Sequence, residues 1–407
     1  MTVTASNHSG ATARTIGFLN WAHAIDHFVI LIFPTVVIGM AAVYGRTYSE
    51  MIALSTASFV AFGVFSIPAG WLADHWSRRK MMAAFYLGCG VSLAIAAVAP
   101  SLFVLAAALF LLGVFAAIYH PVGMAMLIDI SDARGRTLAF NGVCGNVGAA
   151  LAAGISAALA SWLGWRFAFI IPAALCLATG FIFLAAVQDD SHRIGKRQTT
   201  AKVPLSPRAM AAMFGTYIVI SLMSGLTFNI SLVALPKLFD ERLGAGVSLV
   251  EVGGLATAVF LCGAIAQIAV GRLVELVTPT VLLIVVVCLQ FTGILWANYA
   301  SGTALVVAFA LTMAAIYGQV TLGDIVLARF TADAWRARIY AVRYFLTFIS
   351  AGIAVSLIAA LHASGGFGLV LSAMAVFAAV LVAAVVAFAL VVSGAEARAR
   401  RAVQPAE

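Results

Sequence analysis

From near its start to near its end the chain repeats one element, an apolar run long enough to cross a bilayer. A helix needs about 20 such residues to span the hydrocarbon core. We count twelve runs, at 16–43, 50–71, 81–99, 102–128, 137–160, 165–187, 208–236, 249–271, 280–298, 303–329, 339–361 and 367–393. A membrane β-barrel would instead show alternating segments of about 10 residues, and none are present. Of the 407 residues, 64% are hydrophobic and only 9% charged, against roughly 25% charged in soluble proteins. The expected fold is therefore an all-α membrane protein with twelve transmembrane helices. The first apolar run is too long for a signal peptide and has no small-residue cleavage site after it, so it is expected to remain as a helix.

The net charge of +8 is a topology signal rather than a nucleic-acid footprint. Segments assigned to one side of the membrane hold 18 of the 23 Lys and Arg, and the opposite side holds four, Arg46, Arg166, Lys237 and Arg242. The positive-inside rule then puts both termini in the cytoplasm of a plasma (inner) membrane protein. The five cysteines all fall in helices without metal-ligand spacing and read as packing residues.

The longest polar connection, 188–207, divides the helices six and six. The expected organisation is an N-terminal half (1–187), a cytoplasmic linker (188–207), a C-terminal half (208–393) and a cytoplasmic tail (394–407). The halves echo each other. Ala116-Ala117-Ile118-Tyr119 recurs as Ala314-Ala315-Ile316-Tyr317, Gly70-Trp71-Leu72 as Gly271-Arg272-Leu273, and Pro34 maps onto Pro236. The charged loop Asp132–Arg136 has a counterpart in Asp333–Arg338. Such six-helix repeats are a transporter architecture, with the substrate near the midplane.

After the second run comes Gly70-Trp71-Leu72-Ala73-Asp74-His75-Trp76-Ser77-Arg78-Arg79-Lys80. This stretch resembles the loop between the second and third helices of the major facilitator superfamily of transporters. The resemblance implies a conformational latch carried by Gly70, Asp74, Arg78 and Arg79. It also implies that the first, fourth, seventh and tenth helices line a substrate path. Within the superfamily, Ile118-Tyr119-His120-Pro121, Asn141–Gly148 and the first-helix histidine, acid and proline pattern resemble the fosmidomycin-resistance-like exporter branch. That resemblance implies proton-coupled efflux of a drug or metabolite. The arginine of the usual drug-antiporter pattern is missing from the fourth helix, and the fifth has Gly145-Asn146 where Gly-Pro is usual.

Ionisable groups at membrane depth are costly and mark functional paths. In Trp21–Phe28, positions His23, Asp26 and His27 share one helical face, extended by Asn20. The fourth helix adds Tyr119 and His120, followed by Pro121, which loosens the backbone ladder. The seventh and tenth offer Asn229, Tyr317 and Gln319. These eight residues are the expected substrate and proton pathway. An Asp–His set can exchange a proton near neutral pH. Asp324 and Arg343 flank the loop between the tenth and eleventh helices and are expected to form a buried ion pair.

The His120-x-x-x-Met124 spacing also fits Cu(I), which keeps proton-coupled import of a metabolite or copper as an alternative. Chance placement among 12 methionines is the simpler account, and no metal site is expected. The sequence carries no nucleophile motif, HExxH or nucleotide loop. An intramembrane enzyme is therefore disfavoured, and a proton gradient rather than a cofactor is expected to supply the energy. The expected partners are a small-molecule substrate, protons and lipid, with no nucleic acid and a monomeric state.

Overall fold

The computed structural model describes residues 2–130, 134–188, 207–330 and 333–403. Among these residues every regular element is a helix, and no strand is present. The membrane-spanning stretches are α1 (Gly10–Val43), α2 (Tyr48–Ala73), α3 (Arg78–Ala97), α4 (Leu102–Ile130), α5 (Thr137–Leu163) and α6 (Phe167–Ala186). They continue as α7 (Met210–Arg242), α8 (Leu249–Leu273), α9 (Pro279–Tyr299), α10 (Gly302–Leu327) and a last stretch, Phe345–Ser393. At 1.5 Å per residue, the 49 residues of that last stretch would reach roughly 74 Å, more than twice a hydrocarbon core. They are two helices. Gly366 has φ 61 and ψ −162, a conformation closed to side chains, and the chain turns there. The parts 345–364 and 367–393 are α11 and α12, which completes the twelve.

Short polar signals set several helix starts. Thr47 accepts from the Glu50 amide while Glu50 accepts from the Thr47 amide, a reciprocal cap before α2. Ser248 and Glu251 repeat the arrangement before α8. Ser77 and Ser101 cap α3 and α4.

Three helices are broken, α2 at Leu54–Ser55 and α1 and α4 ahead of prolines. Pro34 has no N–H to offer the Ile30 carbonyl, and α1 is interrupted at Leu31, whose amide makes a tighter bond to Phe28 O at 3.2 Å. Pro121 does the same to Ala117, and Ile118 N bonds Phe115 O at 3.2 Å. Pro68, Pro172 and Pro236 lie inside continuous helices. The seventh helix therefore runs past Pro236 to Arg242, beyond the end expected from the sequence. Lys237 pairs with Asp240 at 2.6 Å along this last turn.

The helices form two compact units that do not follow chain order. One comprises Met1–Gly195, Leu232–Leu261 and Ala351–Ala360, and the other Lys196–Ser231, Cys262–Ser350 and Leu361–Glu407. Small residues let helices approach closely inside the first unit. A Cβ on Gly113 would lie 2.0 Å from Ser58 O, and one on Gly148 2.0 Å from Ala24 O. Thr257 Oγ1 donates to Ala150 O at 2.7 Å, fixing α8 to α5 within this unit. The second unit packs around Met213, Leu283, Val287, Leu322, Leu381 and Phe388. Many large apolar side chains point outward on the helices, among them Phe103, Phe181, Ile67 and Leu390, as lipid contact requires. The expected linker, apart from its ends, and the loop at 131–133 lie outside the described residues.

Candidate functional site

The site lies beside the breaks in α1 and α4. His23, Asp26 and His27 sit on the last turns of α1 before its interruption, and Tyr119 and His120 begin the second segment of α4. The rings converge. Centroid separations are 5.0 Å for His23 and His27, 5.3 Å for His23 and His120, and 5.6 Å for His27 and His120. Tyr119 stacks on His23 at 4.8 Å. The structure thus brings all five of the expected N-terminal pathway residues together.

Asn141 of α5 organises this cluster. Its carbonyl oxygen lies 2.8 Å from His23 Nδ1, and its Oδ1 lies 2.9 Å from the same nitrogen. Oδ1 also accepts from the Tyr119 hydroxyl at 3.0 Å, while Nδ2 donates to Leu19 O and Asn20 Oδ1. Asn141 is fully buried with all its polar atoms in use. The approach of α5 to α1 depends on glycine: a Cβ on Gly145 would lie 2.6 Å from His23 Nε2. In the sequence, Asn141 stands out only as part of a family pattern. The Gly145 and Gly148 spacing was the available signal that α5 passes close to another helix here.

Asp26 is the outlier. It is 0% exposed, and neither carboxylate oxygen makes a hydrogen bond. Oδ2 lies 3.3 Å from His120 Nε2, close enough for charge pairing but misaligned for a hydrogen bond. Burying an ionised carboxylate without hydrogen bonds is strongly unfavourable. His27 and His120 are half-buried, with 17% of the His120 side chain exposed.

The remaining pathway residues form a second, uncharged group in the other unit. Asn229 Nδ2 donates to Gly225 O at 2.8 Å and Ser350 Oγ at 3.2 Å. Gln319 donates to Ser224 Oγ, and Gln290 donates to Thr227 Oγ1 at 2.8 Å. Tyr317 packs against Phe228 at 5.8 Å, and its buried hydroxyl has no hydrogen-bond partner. Where Tyr119 is satisfied by Asn141, its repeat counterpart is left unsatisfied.

At the loop between α2 and α3, Arg78 Nη1 lies 2.5 Å from Asp129 Oδ2 at the end of α4. Arg79 donates to the Val187 and Leu184 carbonyls, the negative end of α6. A Cβ on Gly70 would lie 3.2 Å from the Cβ of Pro121. These loop residues therefore tie α2 and α3 to α4 and α6. Asp129 was not anticipated. The side chain of Asp74 lies outside the described part, as does that of Asp324. Arg343 Nη2 reaches Val320 O at 3.5 Å, on the α10 turn that carries Asp324.

A family model described as "Major Facilitator Superfamily" matches residues 16–253, more than half of the chain. The chain belongs to the major facilitator superfamily. It is a multi-pass membrane transporter and not an enzyme. A puromycin resistance protein, pur8, of Streptomyces alboniger is 30% identical over 125 residues, which span 30% of this chain and 25% of that protein. Among solved structures, a bacterial homolog of the human lysosomal transporter Spinster, inward-facing and unoccupied, aligns with TM-score 0.70 and 16% identity over 95% of this chain and 96% of that one. Its occupied form aligns with TM-score 0.72 and 14% identity over 96% and 97%. These likenesses establish the superfamily fold.

Proposed function

We propose that the chain is a proton-coupled exporter that moves a small organic molecule out of the cytoplasm by alternating access. The observation that carries this reading is Asp26, wholly buried and without hydrogen bonds, 3.3 Å from His120 where α1 and α4 are both interrupted. A carboxylate in that position is costly when ionised and far less so when protonated. Its charge state therefore biases which helix arrangement is preferred, and a ligand or proton that distinguishes two arrangements shifts their populations. One proton enters from the outer side, neutralises the cluster and leaves to the cytoplasm, while substrate travels the other way.

Several features support the finer points. Efflux of a drug-like molecule is favoured by the resistance protein among its relatives and by the resemblance to the fosmidomycin-resistance-like branch. The uncharged group of Asn229, Tyr317 and Gln319, with one hydroxyl unsatisfied, suits hydrogen bonding to substrate. The Arg78–Asp129 contact supports a latch role for the loop. The charge asymmetry favours an inner membrane with both termini cytoplasmic. The transporter acts as a monomer and draws its energy from the proton gradient rather than from a cofactor.

The test uses inverted membrane vesicles with and without the protein, a pH-sensitive dye inside, and a panel of phosphonates, organic anions and drug-like compounds. At least one compound is expected to collapse an imposed pH gradient only when the protein is present. Compounds that cross without moving protons would replace coupled export with facilitated diffusion.

A further inference from the structure

Three imidazoles meet beside Asp26. His23, His27 and His120 each offer a ring nitrogen, and these nitrogens all lie within 4.8 Å of one another. The Nε2 atoms of His23 and His27 are 3.2 Å apart. The His23 tautomer follows from its neighbours. Its Nδ1 faces the Asn141 main-chain carbonyl at 2.8 Å and the Asn141 Oδ1 at 2.9 Å, both acceptors. The ring proton is therefore on Nδ1, and Nε2 presents a bare lone pair toward His27. A ring that donates one N–H to a carbonyl and turns the other nitrogen inward has the arrangement of a metal-bound histidine.

We propose that His23, His27 and His120 form a binding site for a divalent transition-metal ion of the zinc type, with Asp26 as its charge partner. Imidazole nitrogens suit such ions. At zinc–nitrogen distances of about 2.0–2.1 Å, tetrahedral ligands stand about 3.3 Å apart. His23 and His27 already meet that spacing at 3.2 Å. The third nitrogen closes by side-chain rotation from within the 4.8 Å limit. The second line of support is Asp26, whose buried carboxylate has neither oxygen hydrogen-bonded and lies 3.3 Å from His120. A cation held by the three rings supplies the positive charge that this carboxylate lacks. Two ligands come from α1 before its break and one from α4 after its break, so a bound ion would clamp α1 to α4. This set differs from the His120 and Met124 spacing visible in the sequence.

The inference shares its cluster with the proposed coupling site, but it is tested without transport. Full-length protein, purified in detergent without a histidine tag and stripped of metal, is titrated with ZnCl₂ by calorimetry. Co²⁺ absorbance reports coordination by nitrogen ligands. One ion per chain is expected. His27→Ala and His120→Ala should each weaken binding at least about 100-fold, the upper end of what even a second-shell loss costs. His27→Gln, which keeps a polar group of similar size, should do the same. His75→Ala, which removes an exposed histidine at the end of the second helix, should bind as wild type. Wild type that takes up no zinc, or cluster variants that bind as tightly as wild type, would overturn the proposal and leave the proton-flux reading standing. Zinc binding by a protein that moves no protons would leave the site and remove the coupling.

Discussion

Replacing Gly148 with alanine drives a methyl group into the backbone of α1. The added Cβ would lie 2.0 Å from Ala24 O, whereas ordinary contact begins at 3.4 Å, so α1 and α5 must part by 3.4 − 2.0 = 1.4 Å. Backbone cannot swing aside as a flexible side chain can. Ala24 adjoins His23, so the same displacement stretches the 2.8 Å contact from His23 Nδ1 to Asn141 O toward 2.8 + 1.4 = 4.2 Å. A hydrogen bond is already lost at about 3.6 Å. Overpacking costs about 1–3 kcal/mol, and leaving buried polar groups unsatisfied costs about 1–3 kcal/mol more. The control is Gly142→Ala on the same helix, where a Cβ meets nothing within 4 Å. Apparent melting of the purified proteins in detergent, followed by gel filtration after heating, reads the difference. Gly148→Ala is expected to melt well below wild type and Gly142→Ala alongside it. Equal melting of the two variants would refute the claim that glycine sets the distance between α1 and α5.

Two further experiments test separate parts of the fold. Gly366→Ala forces a side chain into φ 61, ψ −162, a region costing about 1–3 kcal/mol; yield and melting should fall, and unchanged values would contradict the turn between α11 and α12. Arg78 and Asp129 are each about one-quarter exposed, at 26% and 25%, so their pairing should be worth about 0.5–1 kcal/mol after screening. A cycle of Arg78→Ala, Asp129→Ala and the double variant measures it by melting, and strictly additive losses would mean the pair is uncoupled.

The spans were legible because a long apolar run reports membrane crossing directly, and the proline at Pro121 marked a real break. Pro236 did not break α7, since neighbouring packing can hold a helix together around one missing hydrogen bond. The face of α1 was legible too: the spacing of His23, Asp26 and His27 places them together. What the sequence could not supply was the relative depth of neighbouring helices. Asn141 meets His23, and Asp129 meets Arg78, only because α5 and α4 sit at particular heights. Periodicity fixes a face, not a height. For the same reason the sequence grouped the three histidines in one pathway without showing that their ring nitrogens come within 4.8 Å of one another. Gly145 and Gly148 were the nearest thing to a depth marker, because a glycine pair on a membrane helix implies close approach without naming the neighbour.

Proton coupling stands or falls on Asp26. The most direct measurement is substrate-driven proton flux in inverted vesicles, using a compound active with wild type and comparing wild type with Asp26→Asn at equal protein levels. The amide keeps the size of the side chain and removes its charge. Loss of proton flux with substrate binding retained is the predicted result. Wild-type proton flux in Asp26→Asn would make the buried carboxylate a structural group and contradict the coupling assigned to it.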